Sequence, residues 1–446
     1  MTSGTDTSLV KLLKPIFISA LLALLLSVVT LRDGIRVSPD SWAYWQGSVQ
    51  LLENSQYRYF FQHQPIRSWP PGYSLYLASW QSWLGVSGKT LVIANITLIT
   101  LVAGLWTCLS LVILAPILRR CHKHTPIVIA VYLALFFTFN LKIALATNLL
   151  YVLFPIFLLL AVKTLTCQRR WPFYWLTIAT GTTGAMMLLA HNSALAIVPI
   201  GSYLMLTHKT IKKPDRVIAG FFIGIIAIVP WYAVRTYLEQ GGSHPVGFGT
   251  GRYPFYTYLW QLLHGLPDGI ASHPGIIIFP GLAFLLFRFT KHVLANEGTE
   301  LRDAILRIYS IVTIATALLF LMFNLTYIAD DLGERFNLFQ MALLVPLIFT
   351  AWGFHLNPEN ESSITNKHLI RHLKICLIIV LAVSIQRVGK QVWDTQFDTS
   401  QLDTPSETFV HTSFTITTSF NDKTPVKKGK LLHITPPVFH WQRLSQ

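Results

Sequence analysis

The stretch VSPDSWAYWQGSVQLLENSQYRYFFQHQPIRSWPPGYSLYLASW runs from Val37 to Trp80 and lies between two long apolar runs, Ile16 to Leu31 and Leu91 to Leu118. It decides how the chain is read. A loop that leaves one apolar run and returns to another, carrying Asp40, a dense set of aromatics and the turn Trp69-Pro70-Pro71-Gly72-Tyr73, is an outer loop of a membrane protein. Ser38-Pro39-Asp40-Ser41 also has the composition of a helix start, so Asp40 reads either as an N-cap or as a carboxylate held at the membrane boundary for chemistry. The aromatics from Trp42 to Phe61 suit a segment lying in the interface plane.

Outside this loop the chain is mostly apolar. Only 12% of its 446 residues are charged, against about 25% in soluble domains, and the mean hydropathy is +0.49. A span needs roughly 20 apolar residues. Runs at about 14–31, 89–118, 126–143, 149–166, 172–189, 192–207, 217–234, 274–290, 307–327, 336–354 and 372–389 predict an all-α polytopic membrane protein with 11 transmembrane helices. The stretch after Lys11 and Lys14 has no small-residue cleavage site and reads as an uncleaved first helix.

The net charge of +15 does not point to nucleic acid, because the cations fall in short clusters between apolar runs. RRCHKH, QRRW, HKTIKKPDR, KHVLANEGTELRDAILR and NKHLIRHLK all lie on one side of an 11-span arrangement. The positive-inside rule places that side, and the N-terminus, in the cytoplasm, with the C-terminus outside. The outer segments are then 32–88, 235–273 and a tail, 390–446, in which TFVHTSFTITTSF alternates as a strand does. Residues 1–389 form the transmembrane domain and 390–446 a small extracytoplasmic segment, in part β. Cys108, Cys121, Cys167 and Cys376 lie in or beside apolar runs, without metal-ligand spacing, and read as small buried hydrophobes.

PDSWAYWQGSVQLLENSQYRY followed by SWPPGYSLYLASWQSWLG resembles the first outer loop of GT-C glycosyltransferases, in particular the branch of protein O-mannosyltransferases and bacterial aminoarabinose transferases. VPWYAVRTYLEQGG, Val229 to Gly242, is similar to the family's Pro-Trp and arginine pattern at the outer end of a middle span. GERFNLFQMALLVP, Gly333 to Pro346, is similar to its late outer arginine. The order and sidedness of these pieces match over most of residues 1–390. The chain departs from the family at Asn148, where an acidic residue is common, at His191, where an arginine is common, and at Thr236 in place of asparagine.

The resemblance implies transfer of a sugar from a polyprenyl-phosphate donor to an acceptor hydroxyl on the extracytoplasmic face, in a bacterial inner membrane. Such a reaction needs a base for the acceptor proton and cations for the leaving phosphate. It implies Asp40 as the base, Arg235, Arg335 and His191 at the donor phosphate, and Tyr44, Arg67 and Tyr73 around the substrate cavity. Interfacial anchoring and pairing with Asp330, Asp331 or Glu334 are the alternatives for the two arginines. No cofactor is required; Mg²⁺ or Mn²⁺ between Asp40 and Asp330 or Asp331 is an alternative. A lipid-linked oligosaccharide polymerase or ligase and a flippase remain as other readings. A flippase would keep ionisable groups at mid-membrane depth, whereas here they gather at the outer ends of spans.

Overall fold

The computed structural model describes residues 6–31, 39–58, 69–141, 144–167, 169–191, 213–238 and 332–355, with isolated positions elsewhere. Every regular element among the described residues is an α-helix. In chain order these are α1 (Asp6–Thr30), α2 (Pro39–Asn54), α3 (Gly72–Leu84), α4 (Gly88–Leu118), α5 (Thr125–Asn140), α6 (Ala146–Thr166), α7 (Arg170–Ala190), α8 (Lys213–Leu238) and α9 (Leu332–His355).

Four of them contain stretches long and apolar enough to cross a membrane: Leu13–Thr30, Gly88–Ala115, Ala146–Thr164 and Arg170–Ala190. Shorter apolar stretches occupy Thr125–Asn140, Ile218–Val234 and Ala342–Phe354. The chain is thus an all-helical membrane protein by the length and composition of its helices. The expected spans 192–207, 274–290, 307–327 and 372–389 lie outside the described residues, apart from isolated helical positions, as does the expected β-containing tail.

Side-chain distribution along α1 is that of a lipid-facing helix. Pro15, Ser19, Ala23, Ser27 and Leu31 recur every fourth residue and are buried. Phe17, Leu21, Leu25, Val28 and Val29 face outward. Lipid tails are as apolar as leucine, so helices in a bilayer associate through small residues and interhelical hydrogen bonds instead. Here Ser19 Oγ donates to Ala103 O at 3.1 Å and receives a bond from Thr107 Oγ1 at 2.9 Å. Gly104 of α4 sits against Ala20. The same device joins α7 to α8, where a Cβ on Gly181 would meet Ile226 Cβ at 2.9 Å.

The centre is aromatic. Trp106 of α4 packs on Phe137 of α5 at 5.7 Å and on Phe154 of α6 at 5.6 Å, and its indole N–H donates to Tyr151 O at 2.9 Å. The bond satisfies a polar group that lipid would leave orphaned. Helix α9 closes against α4 and α5. His122 N donates to Gly353 O at 2.8 Å, Cys121 Sγ contacts Thr350 O at 3.2 Å, and Tyr132 packs on Phe349 at 5.4 Å.

These contacts fix the direction of each helix. Asn95 near the start of α4 meets Asn148 near the start of α6, and Gly72 at the start of α3 meets Leu189 and Ala190 at the finish of α7. One end of the bundle therefore holds the first turns of α3, α4 and α6 and the last turn of α7. The opposite end holds Tyr174 of α7, whose hydroxyl donates to Asp215 of α8 at 3.1 Å, and the His122–Gly353 contact.

Candidate functional site

The polar constellation at the Tyr73 end is built on α3. Pro70 and Pro71 precede the helix, where a missing backbone N–H costs nothing. Gly72 then lets the chain press onto α7: a Cβ there would lie 2.6 Å from Leu189 O and 2.9 Å from Ala190 N. The helix ends at Gly85, whose positive φ of 81° glycine alone adopts readily and whose N–H donates to Gln81 O at 2.9 Å. Ser87 caps α4 in turn, accepting from Thr90 N at 3.2 Å. This compact turn holds α3 on the first turns of α4.

Tyr73, fully buried, donates its hydroxyl to Asn95 Oδ1 at 3.1 Å. Asn148 Nδ2 donates to the same oxygen at 3.2 Å, and Asn95 Nδ2 donates to Leu91 O at 2.9 Å. Burial pushes the Tyr73 phenol far above its ordinary range, opposed only in part by the bond to Asn95. It is a permanent donor, not an acid or base. One asparagine thus ties α3, α4 and α6 together.

Helix α2 lies along α3. Ser74 Oγ donates to Tyr44 O at 2.8 Å, and Gln81 Nε2 donates to Ser48 Oγ at 2.9 Å, so the two helices run in the same sense. Tyr44 meets Tyr73 edge-on at 5.3 Å and Trp69 at 6.0 Å. Tyr57 is buried and donates to Trp69 O at 3.1 Å. The aromatics were expected in the membrane interface. Tyr44, Trp45 and Tyr57 instead pack inside the protein, because α2 and α3 bury their aromatic faces on each other and on the bundle.

Asp40 is the second residue of α2, one turn before Tyr44. Pro39 takes the first helical position, which its fixed φ suits. The helix therefore starts two residues earlier than an Asp40 N-cap requires. A carboxylate at this place favours the helix through the macrodipole, by about 0.3–1 kcal/mol.

His191 follows the last turn of α7, half-buried, with its backbone N–H on Met187 O at 2.9 Å. It is the residue after Ala190, on which Gly72 rests. Arg235 lies in the last turn of α8. Helix α8 runs alongside α7 in the same sense, from Tyr174–Asp215 through Gly181–Ile226, so Arg235 reaches the level of Ala190. Arg335 lies in the first turn of α9. Since Gly353 abuts Thr125 and Phe349 abuts Tyr132, α9 is antiparallel to α5, and Arg335 belongs to the end where α5 finishes. Arg67, Asp330 and Asp331 lie outside the described residues.

Asp40, His191, Arg235 and Arg335, chosen from distant parts of the sequence, thus have backbone positions at one end of the bundle. Tyr44 and Tyr73 are packed side chains, meeting edge-on between α2 and α3. Among the described residues no three His, Cys, Asp or Glu side chains gather as a metal site. Sequence reasoning passed over Asn95 and Gln81. The signal for Asn95 was available, since it is the sole amide side chain in the 31-residue run of α4, and such residues seldom sit in a span without a partner.

No protein-family model matches the chain, and no curated protein matches it in sequence.

Proposed function

We propose that this chain is a GT-C-like glycosyltransferase of 11 spans that moves a sugar from a polyprenyl-phosphate donor to an acceptor hydroxyl on the extracytoplasmic face. The observation that carries the reading is the shared end of Asp40, His191, Arg235 and Arg335. Four residues spread over about three hundred positions reach one end of the bundle, next to a rigid pair of outer helices. A lipid phosphate lies at the membrane surface, so its clamp must stand where spans end.

In this reading Asp40 takes the proton of the acceptor hydroxyl as its oxygen attacks the anomeric carbon of the donor sugar. The bond from that carbon to the phosphate oxygen breaks, and the polyprenyl phosphate leaves with the electron pair. Arg235 and Arg335 meet the charge that develops, since guanidinium presents paired donors to phosphate oxygens. His191 adds a further donor at the same level. The buried bonds of Tyr73, Asn95 and Asn148 keep α3, and with it α2, from drifting as the site fills. The end of the bundle with this site is extracytoplasmic, the N-terminus is cytoplasmic, and the membrane is the bacterial inner membrane.

The test is Asp40→Asn. Envelope glycans and glycolipids of cells with and without the gene, compared by mass spectrometry, identify the sugar moved. Transfer by purified Asp40→Asn should then fall by roughly 10²–10⁴, with stability changed by about 1 kcal/mol or less. A stable Asp40→Asn variant that transfers sugar at a near-normal rate would remove Asp40 from catalysis. Unchanged glycans and glycolipids on loss of the gene would remove the activity itself.

A further inference from the structure

The end of α7 opposite to Ala190 carries a second arrangement of charge and aromatics that the proposed reaction does not use. Arg169 and Arg170 are exposed at the start of this helix, and two tryptophans follow at once. Trp171 is 77% exposed and Trp175 66%. Four residues apart, they stand on one helix face, and that face continues through Ile178 and Met186, both exposed, with the exposed Thr182 as its one hydroxyl. A stripe that is apolar along its length and indole at one end marks where hydrocarbon gives way to headgroups, because indole prefers that boundary. The two arginines come just before the indoles, at headgroup depth.

The local carboxylate is already engaged. Asp215 accepts from the Tyr174 hydroxyl at 3.1 Å, and Tyr174 lies under Arg170, whose guanidinium carbon is 5.9 Å from the ring centroid. Arg170 is therefore steadied by the ring and by its Nε–H, which donates to the Tyr174 hydroxyl at 3.5 Å, while the residue as a whole stays exposed. Among the described residues no ion pair is formed by Arg169.

We propose that Arg169 and Arg170, with Trp171 and Trp175, form a binding site for the headgroup of an anionic phospholipid. The guanidinium groups take the phosphate and the indoles flank the glycerol and upper acyl region. The site is independent of the reaction proposed above.

The full chain in bilayers of phosphatidylcholine with one quarter phosphatidylglycerol tests this, by counting lipids retained after extraction. Wild type should retain phosphatidylglycerol in preference to phosphatidylcholine. Each cation near an anionic surface is worth about fivefold, so the double variant Arg169→Gln/Arg170→Gln should lose about 25-fold of that preference. Lys14→Gln, which removes an exposed cation from α1, should leave it intact. Equal loss in both variants would mean diffuse attraction and overturn the site. So would competition by millimolar inorganic phosphate, which would make it a site for the free ion. Should the arginine variant fail to fold, brominated lipids give the answer. Brominated phosphatidylglycerol should quench wild-type tryptophan fluorescence more than brominated phosphatidylcholine, and Trp171→Phe/Trp175→Phe should abolish the excess. Equal quenching by the two lipids refutes the proposal.

Discussion

The Tyr73 hydroxyl donates to Asn95 Oδ1 at 3.1 Å, and both residues are wholly buried. Asn148 uses the same acceptor at 3.2 Å. Because one oxygen serves two donors, the three residues are not equivalent. Asn95→Leu strands the phenol, at roughly 1–3 kcal/mol, and takes one bond from the Asn148 amide, at about 1, so it should destabilise by about 2–4 kcal/mol. Tyr73→Phe leaves Asn148 paired and should cost about 1 kcal/mol. Unfolding of the purified variants in detergent measures the difference. Equal losses would show that Asn95 is not the hub.

Glycine substitutions should separate contact from propensity. Gly72→Ala drives a methyl group into the backbone of Leu189 and Ala190, which has no rotamer to yield. A loss of about 1–3 kcal/mol is expected from overpacking. Gly224→Ala meets nothing within 4 Å. It should stabilise α8 by about 0.5–1 kcal/mol through helix propensity alone. Thermal unfolding of both decides; a harmless Gly72→Ala would mean that α3 does not bear on α7.

If Arg235 and Arg335 clamp a phosphate, lysine is a poor substitute at either place, because a point charge does not reproduce the paired donors. Arg235→Lys and Arg335→Lys should each lower sugar transfer about ten- to a hundredfold, the worth of one charge-assisted hydrogen bond. Their stability should stay close to wild type. Full activity in a lysine variant would assign that arginine to membrane anchoring.

Cys121 lies in the short α4–α5 connection, yet it is buried, and burial pushes its thiol up to about 12. Thiolate is the reactive form, so at pH 8 only about one part in 10⁴ of this residue is reactive, rising tenfold per pH unit. A chain with Cys121 alone should label with maleimide far more slowly than one with Cys167 alone, which is half-buried. Comparable rates at pH 8 would show that α9 does not cover the Cys121 sulfur.

The apolar runs were legible because lipid imposes a length and a composition on every helix that enters it. The run read as 89–118 is α4, Gly88–Leu118, and that read as 172–189 is α7, Arg170–Ala190. What sequence did not reveal was which polar residues meet. Asn95 and Asn148 are 53 positions apart, and no periodicity links them. The aromatics of α2 misled for a physical reason. Tyr and Trp suit both a headgroup layer and a buried contact with one hydrogen bond to make, and only the presence of α3 alongside decides between the two.

The partners of α1 carry a consequence for synthesis at the ribosome. Helix α1 packs on α4 and α5, with its hydroxyl bond reaching from Ser19 to Ala103 and Thr107. At about 5–20 residues per second, the first helix enters the bilayer several seconds before its first partner emerges. During that interval α2 and α3 are already made, with α4, α6 and α7 not yet there for α3 to pack upon. The nascent chain therefore passes through a state in which one inserted helix stands alone, its serine unanswered. The Ser19 hydroxyl gains its partners only when α4 joins α1, so this contact forms late although its first member is made early.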